Sequence, residues 1–523
     1  MLNYWWVTRP KRKLNSIPDV LAVFAESATQ ATWIGQRDSH LSLESALEHS
    51  DLKREGDRRD QTGGGGRTYK AWLVSLGLIF SQSSTKKLQL TLAGEALLNG
   101  ESPVKILTNQ ILKYQFPSAF SLTHSVNVNR RFRIHPFWFL LKLLNDSRVQ
   151  YLTQEEIAKI IITEAENESV KLYEKIVARL TDFRSFGDSC LDKNFAVTYT
   201  SSKGSVNFSN PFRHLLDIAN TIINWLEYTQ LILREDGRIK ILPEQADTVS
   251  KIVSNSIPFI PRPEEHEYFQ RRYGLDITHV KDTRNLLQTK VVTDFMIAEM
   301  RVKKVFISLA LKEPIGGITP SLVDHISAIS GIKSSVVLEV LQKNFPHGSI
   351  GAFLASYFEM AFAGREHYRD FEESTANIFR EIFKFQSTWL GSASSGKAVP
   401  DILLVSDNAG FQAIIDTKAY SRYDLPTTHR DRMIYHYLPY IKEYSSSRFP
   451  LAFFSYIAGG FSATIANHIQ EISNNTSING SAVPVTVFIK MVEQQAQNLY
   501  SHSDIKNIFS LNRQITISDL KIY

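Results

Sequence analysis

The chain has 523 residues, enough for roughly three or four domains, and 43% of them are hydrophobic, which is ample for several cores. A net charge of +6 permits a nucleic-acid partner without demanding one. The single cysteine, Cys190, excludes internal disulfides and Cys-based zinc fingers. The longest apolar stretch, near Phe137 to Leu144, is too short to span a membrane, and the N-terminus lacks the apolar core of a secretory signal. These features predict a soluble cytoplasmic protein.

A glycine-rich basic stretch runs from Asp51 to Lys70 with the sequence DLKREGDRRDQTGGGGRTYK. The run Gly63–Gly66 cannot hold regular structure cheaply, so we predict a flexible loop that orders on DNA and contacts its phosphates or bases. An exposed linker is the alternative. No Gly-Lys-Ser/Thr follows the glycines, which excludes a nucleotide-binding loop of that type. The candidate DNA-binding residues of this stretch are Lys53, Arg54, Arg58, Arg59, Arg67 and Lys70.

A helix–strand–turn–strand–helix order follows, which is typical of the winged half of a winged helix-turn-helix. Its elements are a helix ending near Gly77, strands at Leu78–Phe80 and Leu88–Thr91, and a helix from Ala93. The pattern recurs after Trp225, where Asp236-Gly237 makes the turn and Arg238–Leu242 the second strand. We therefore predict two winged modules with the same order of elements.

Between them, Phe137–Arg184 has helical periodicity, and Thr153 and Glu156 form a predicted capping box. Three winged-helix-like modules thus make up a predicted DNA-recognition region, residues 1–257. The first is our choice for the major groove because the densest basic residues surround it, although winged helices also serve as protein-interaction scaffolds. A second basic segment can read guanine or can be a solvated surface loop; its candidates are Arg130, Arg131 and Arg133.

Residues 258–348 begin with a proline-punctuated charged run and then become mostly helical, which predicts a connector. The last domain is predicted over residues 349–523, with later strands at Leu451–Tyr456 and Val483–Ile489 and a helix at Ala463–Ile472. The predicted fold class is therefore α/β with several domains: winged-helix-like modules, a helical connector, and a C-terminal mixed β-sheet flanked by helices.

The stretch around which the last domain is organised is VPDILLVSDNAGFQAIIDTKAYSRYDLP, from Val399 to Pro426. Two apolar runs flank a turn, which predicts a β-hairpin whose pairing brings Asp401 beside Asp416. Strand alternation places Asp416 and Lys418 on one face and points Thr417 away. Carboxylate oxygens are the ligands that Mg²⁺ takes, and an adjacent ammonium can orient a nucleophile or help deprotonate it. The alternative is that neither residue has a catalytic role: Asp401 would add solubility at the edge of the strand, and Lys418 would be an exposed surface cation.

An acidic amphipathic helix is predicted upstream, over Phe371–Phe385. Its first turn carries Glu372 and Glu373, and either could add a third carboxylate at the edge of the sheet. A serine or cysteine nucleophile has no supporting constellation in the sequence.

The order Pro-Asp followed by Asp-x-Lys is the PD-(D/E)xK nuclease pattern. The longer run Asp416–Pro426, DTKAYSRYDLP, closely resembles the catalytic strand and loop of the FokI-type cleavage domain of type IIS restriction endonucleases. The resemblance implies that Asp401 and Asp416 are metal ligands and that Lys418 is the catalytic lysine; aligning Leu390-Gly391 selects Glu372 as the third carboxylate. The recognition half resembles FokI-type and AlwI-type enzymes more patchily, including the turn Gln115–Ser118.

In that family a helix after the loop pairs two cleavage domains. Asp431 falls at the aspartate of this contact, whereas Tyr435 stands where the family has an arginine, so the helix is expected and its salt bridge is not. His429 and His436 match neither an HNH pattern nor a zinc site, and we assign them to the surface of this helix.

The resemblance implies a Mg²⁺-dependent type IIS endonuclease that self-associates on double-stranded DNA and cuts outside a short asymmetric site. The alternatives are a strand-specific nickase and a winged-helix regulator with an inactive nuclease-like domain.

Overall fold

The computed structural model describes residues 1–29, 31–33, 35–54, 62–122, 126–201, 211–278, 280–286, 293–391 and 399–521. The chain forms two compact units. The N-terminal unit consists of Met1–Ser308 and Asp324–Asn344, and the C-terminal unit of Leu309–Val323 and Phe345–Tyr523. Among the described residues, none of the helices has the length and apolar character needed to cross a membrane.

The first part of the N-terminal unit contains the predicted order of helix, strand, turn, strand and helix. Strands β1 and β2 pair antiparallel, with Ile79 opposite Leu90. The following helix begins after Thr91, whose side chain accepts a hydrogen bond from the Gly94 N–H and so caps the helix. The elements are α1 (Ile17–Ser27), α2 (Arg37–His49), α3 (Gly64–Ser75), β1 (Ile79–Ser81), β2 (Leu88–Leu90), α4 (Leu92–Leu98) and α5 (Pro103–Leu112).

The glycine run is not the irregular loop that the sequence predicts, because α3 begins at Gly64. Gly63 precedes the helix with a φ of +82°, a conformation that side chains rarely adopt. A Cβ on Gly66 would lie 2.3 Å from the carbonyl oxygen of His40 on α2. The glycines therefore serve the close packing of α3 on α2, and the prediction of a wholly flexible segment was wrong for Gly64–Gly66.

The second part of the N-terminal unit joins the predicted middle and last modules in one three-stranded sheet of order β3-β5-β4. The predicted capping box is confirmed, since the Thr153 hydroxyl accepts a hydrogen bond from the Glu156 N–H and the Glu156 carboxylate accepts one from the Thr153 N–H. The elements are α6 (Pro136–Leu144), β3 (Leu152–Thr153), α7 (Gln154–Glu156), α8 (Ile162–Glu164), α9 (Val170–Phe186), α10 (Phe195–Thr198), α11 (Arg213–Tyr228), β4 (Ile232–Glu235), β5 (Arg238–Ile241) and α12 (Ala246–Ser254).

Four further helices follow: α13 (His266–Tyr273), α14 (Asp294–Ala310), α15 (Pro320–Ser330) and α16 (Ser334–Asn344). Helix α13, which the sequence places in the connector, is tied into the N-terminal unit by buried polar contacts. Gln270 Nε2 donates to the Val74 carbonyl at 2.6 Å. The buried Lys113 ammonium donates to the carbonyls of Gly274 at 2.8 Å and Asp276 at 3.0 Å, and burial lowers the pKa of Lys113 to about 7.

A six-stranded sheet of order β11-β10-β9-β8-β7-β6 forms the centre of the C-terminal unit. Strands β6, β7 and β8 are antiparallel, and β8, β9, β10 and β11 are parallel, so the sheet is mixed as predicted. The elements are α17 (Ile350–Phe362), α18 (Tyr368–Glu381), β6 (Gln386–Trp389), β7 (Ile402–Ser406), β8 (Phe411–Lys418), α19 (Thr427–Arg432), β9 (Leu451–Ala458), α20 (Ile465–Thr476), β10 (Asn479–Pro484), α21 (Val485–Gln495), α22 (His502–Phe509) and β11 (Arg513–Gln514).

One predicted strand of this unit is mostly helix. The run Val483–Ile489 contributes only Val483 and Pro484 to β10, and α21 begins at Val485. Proline is well suited to the boundary before a helix, and the helix is so deeply buried that its sequence is apolar on most sides. Periodicity alone does not separate such a helix from a buried strand.

Candidate active site

The hairpin of β7 and β8 brings Asp401 and Asp416 to the same edge of the sheet. Ile402 lies opposite Ile415, so the residues just outside this pair, Asp401 and Asp416, are neighbours across the two strands. Asp401 is fixed from β8, because its Oδ2 accepts hydrogen bonds from the Thr417 N–H at 2.6 Å and the Thr417 hydroxyl at 3.2 Å. The hairpin predicted from the sequence is present and holds the two carboxylates together.

Lys418 contacts both carboxylates with its ammonium group. Its Nζ lies 2.7 Å from Asp416 Oδ2 and 3.5 Å from Asp401 Oδ2, and it donates to the Thr417 carbonyl at 2.8 Å. Burial acts to lower the pKa of Lys418, but the charges of Asp401 and Asp416 outweigh it and raise the pKa well above its usual value. The lysine is therefore a permanent cation at this edge of the sheet.

Glu372 reaches the site from α18. Its side chain is buried and accepts a hydrogen bond from Trp389 Nε1 at 3.2 Å, whereas Glu373 is exposed. Burial, together with the nearby charge of Asp401, raises the pKa of Glu372 to about 7. Gly391 lies close against this group, since a Cβ there would be 2.5 Å from Glu372 Oε2.

The site carries more negative than positive charge. Burial and the neighbouring Asp416 raise the pKa of Asp401 to about 6, although Lys418 and Thr417 oppose that rise. Three carboxyl groups stand near one ammonium, so full ionisation leaves two uncompensated charges. Among the described residues, at this site and in the rest of the chain, no group of three His, Cys, Asp or Glu side chains could hold a metal ion by itself. The arrangement offers two convergent carboxylates and a third nearby.

Two polar side chains of the site were missed by the sequence analysis. Strand alternation predicts that Thr417 points away, yet its hydroxyl donates to Asp401 Oδ2 at 3.2 Å, since Asp401 directly precedes β7, the strand paired with β8. Trp389 was not considered, although it stands two residues before Gly391 in the segment that selects Glu372. The proximity of an aromatic N–H donor to this carboxylate depends on how α18 packs on β6, which local sequence does not encode.

The first group of predicted DNA-binding residues divides into internal and exposed cations. Lys53 forms ion pairs with Glu44 at 3.0 Å and Glu48 at 2.6 Å and thereby joins α2 to the segment that follows it. Arg54 is exposed. Arg58 and Arg59 lie outside the described residues.

The other two cations of this stretch are carried by α3. Arg67 donates to the Thr62 carbonyl at 2.7 Å and is partly buried. Lys70 lies 6.0 Å from the centre of the Trp33 ring, and burial lowers its pKa to about 8.

The second basic group also divides. Arg131 is tied to Glu166 by an ion pair and donates to the carbonyls of Asn3 and Thr163, both at 2.9 Å. It therefore connects three segments of the N-terminal unit. Arg130 and Arg133 are exposed.

The predicted dimer residues lie on the helix after the active-site loop. Helix α19 continues through a π-helical turn, Met433–Tyr437. Asp431 is exposed, and 62% of the Tyr435 surface is accessible. The opposite side of this segment packs into the core through Met433 and Tyr437.

Comparisons with known proteins give two family matches on separate parts of the chain. Residues 331–516 match the family model described as FokI, cleavage domain, and residues 74–304 match the family model described as AlwI restriction endonuclease. No curated protein matches the chain. Both families consist of restriction endonucleases, so the chain is a restriction endonuclease, an enzyme that cleaves DNA. Within that class it belongs with the type IIS enzymes that have a FokI-type cleavage domain.

Three solved structures are similar to the chain at low identity. The structure of restriction endonuclease FokI is 15% identical over 98% of this chain and 99% of that chain, with a TM-score of 0.29. The structure of restriction endonuclease FokI bound to DNA is 14% identical over 98% of this chain and 99% of that chain, with a TM-score of 0.28. The BpuJ1 endonuclease binding domain in complex with pyrene- and phenanthrene-modified DNA is 12% identical over 52% of this chain and 96% of that chain, with a TM-score of 0.34. The assignment rests on the family matches.

Proposed function

We propose that this restriction endonuclease recognises a short asymmetric sequence of double-stranded DNA with its N-terminal unit. It hydrolyses phosphodiester bonds at a fixed distance outside that sequence, using Mg²⁺ in its C-terminal unit. The observation that carries the proposal is the convergence of Asp401 and Asp416 on Lys418 within the segment that matches the cleavage-domain family. The candidate DNA-reading residues all belong to the other compact unit, which supports recognition and cleavage at separate positions.

The donor set of the site fits Mg²⁺. Asp401, Asp416 and Glu372 offer only oxygen, the donor that a hard cation takes, and their excess of negative charge suits a divalent ion. Asp401 and Asp416 would hold the metal directly and Glu372 through a water molecule of the ion, since Mg²⁺ keeps several waters and takes one or two carboxylates plus phosphate. When bound, Mg²⁺ supplies Lewis-acid stabilisation of the charge on the phosphate.

Residues of the chain itself position the carboxylates, the attacking water and the phosphate. The Thr417 N–H and hydroxyl hold Asp401 in place, and Trp389 orients Glu372. The Lys418 ammonium, which contacts both carboxylates, would donate hydrogen bonds to the attacking water and the phosphate.

DNA contact is proposed for the exposed cations of the N-terminal unit. Arg54, Arg130 and Arg133 are exposed, and Arg58 and Arg59 extend the first group in sequence. Lys53 and Arg131 would have to exchange internal partners for phosphate, so we give them a structural role first. The helix–strand–turn–strand elements support a winged-helix-like interpretation of this region.

Self-association is proposed through the exposed side of α19 and its extension. One active site cuts one strand, so two C-terminal units must act on one duplex for a double-strand break. Asp431 and Tyr435 are exposed on this segment. A tyrosine in place of a charged partner would contribute apolar contact area instead of a salt bridge.

The test is digestion of a sequenced supercoiled plasmid library with Mg²⁺ and mapping of every cut end. The variants are Asp416→Asn, which removes a carboxylate at constant size, and the exposed control Glu373→Gln. Linear products with ends at a fixed offset from one asymmetric motif, lost in Asp416→Asn and retained in Glu373→Gln, are expected.

Two other outcomes point to the alternatives. Circles nicked on one strand would establish the strand-specific nickase. Sequence-specific retention of DNA in a gel without any cutting would overturn the enzymatic proposal and favour the binding regulator.

A further inference from the structure

A hydrogen-bonded tyrosine and histidine lie beside the carboxylate–lysine site. Tyr423 is 4% exposed, and its backbone is held by the Gly460 carbonyl at 2.9 Å and the Ser462 N–H at 3.0 Å. Its ring packs against Tyr456 and Phe461. The phenol is thus fixed in place, and its oxygen lies 2.6 Å from His429 Nδ1 on α19.

The protonation of this pair determines which hydrogen His429 presents. Burial raises the pKa of Tyr423 far above its usual value, so the phenol keeps its proton. Burial, and then the positive charge of Lys418, lower the pKa of His429, so the imidazole is neutral near pH 7. His429 Nδ1 is the one hydrogen-bond partner of the buried Tyr423 hydroxyl among the described residues, so we assign the hydroxyl as the donor and place the single hydrogen of the neutral ring on Nε2.

The Nε2–H group is available for a ligand. Among the described residues it takes part in no hydrogen bond, and it is not one of the buried polar atoms without a partner, so it is open to solvent. The ring of Tyr423 lies 6.0 Å from that of Tyr456, and Tyr456 is opposite Asp416 in the pairing of β8 with β9, so the tyrosine–histidine pair lies close to the carboxylates of the active site. An oriented N–H donor thus stands next to the proposed cleavage centre.

DNA that occupies this centre brings more than one phosphate. Each strand carries a negative charge about every 3.4 Å of helix axis, so a strand with one phosphate at Lys418 has others close by. An uncharged imidazole that presents a fixed N–H is a suitable donor to a phosphate oxygen and needs no counter-ion when DNA is absent.

We propose that His429, held by Tyr423, donates its Nε2–H to a backbone phosphate next to the scissile one and so positions the cleaved strand. The inference rests on the proposed function. It gives His429, which the sequence assigns to the surface of the helix after the loop, a contact with DNA, and it makes Tyr423 a positioning residue that acts through His429.

The test combines protein variants with modified DNA. Each phosphate flanking the mapped cut is replaced in turn by an uncharged methylphosphonate, and single-turnover cleavage by the full chain with Mg²⁺ is measured. The variants are His429→Ala, His429→Gln, which keeps an N–H donor, and Tyr423→Phe, which keeps the ring; His347→Ala is the control for an exposed histidine of the same unit.

We expect one flanking position at which the wild type slows by about 10-fold to 100-fold and His429→Ala slows no further. His429→Gln should restore part of the sensitivity at that position, and Tyr423→Phe should weaken it, while His347→Ala matches the wild type. Additive losses at every phosphate would overturn the inference even though the enzyme cuts. Failure of the wild type to cut any substrate would instead overturn the proposed function, and this inference with it.

Discussion

Glu372→Gln should stabilise the metal-free protein at alkaline pH while abolishing cleavage. The substitution keeps the size of the side chain and leaves a carbonyl oxygen to accept the hydrogen bond from Trp389 Nε1. It removes a charge that burial and Asp401 both disfavour, as shown by the rise in the pKa of Glu372 to about 7. The ordinary pKa of a glutamic acid is about 4.3.

The magnitude follows from the two pKa values. A carboxyl group whose pKa is raised on folding binds its proton more tightly in the folded state, so folding loses stability as pH rises from about 4.3 through about 7. Because a tenfold change in a proton equilibrium corresponds to about 1.4 kcal/mol, ionised Glu372 costs the C-terminal unit up to about 4 kcal/mol above pH 8. At pH 5 the cost is about 1 kcal/mol.

The assay is thermal unfolding of the full chain in EDTA at pH 5 and pH 8.5. For a unit of this size, about 4 kcal/mol corresponds to a rise in melting temperature of about 8–16 °C at pH 8.5, with a much smaller rise at pH 5. The exposed control Glu373→Gln should not change the melting temperature at either pH. Addition of Mg²⁺ should reduce the difference in melting temperature between Glu372→Gln and the wild type. A ligand that binds the folded state stabilises it, and the wild type, with all three carboxylates, should bind Mg²⁺ more tightly than the variant. Equal melting temperatures of Glu372→Gln and the wild type at pH 8.5 would refute the electrostatic reasoning.

The remaining predictions concern the lysine, the dimer helix and the basic residues. Lys418→Met should reduce cleavage by about 10²-fold to 10³-fold while DNA retention in a gel persists, and unchanged cleavage would exclude a catalytic role. Tyr435→Ala should convert linear products into nicked circles at low enzyme concentration, whereas unchanged product ratios would place the dimer contact elsewhere. Arg133→Gln should reduce the salt dependence of DNA binding by about one phosphate contact. Arg131→Gln should mainly lower the melting temperature, because Arg131 joins three segments internally, and an unchanged melting temperature would contradict that role.

The hairpin and its carboxylates could be predicted from the sequence because their determinants are local. The turn formers between two apolar runs fix the pairing, and the pairing fixes which residues meet: Ile402 opposite Ile415 and, next to them, Asp401 beside Asp416. Strand alternation likewise predicts that Lys418 lies on the side of Asp416, where its Nζ is 2.7 Å from the carboxylate. Prediction of the third carboxylate required tertiary structure, because only the packing of α18 shows that Glu372 is buried and Glu373 is exposed.

The parts that could not be predicted depend on tertiary contacts. Basic residues look alike in sequence, yet Lys53 pairs with two glutamates of α2 whereas Arg54, the next residue, is exposed. A run of glycines predicts irregular structure, but Gly66 lies in α3, where the absence of a side chain lets α3 approach the α2 backbone. In both cases the deciding neighbour is another segment, which neither periodicity nor composition identifies.

The charge balance of the site separates an electrostatic account from a packing account. A packing account expects every substitution of these buried groups to destabilise the unit. In the electrostatic account, removal of Glu372 relieves repulsion, whereas removal of Lys418 leaves Asp401 and Asp416 without their shared cation. Glu372→Gln and Lys418→Met should therefore both lose activity but shift the melting temperature at pH 8.5 in opposite directions. The lysine variant should lose about 3 kcal/mol or more of unfolding free energy. Opposite shifts follow only if uncompensated negative charge dominates the site, which is also the property that suits it to a divalent cation.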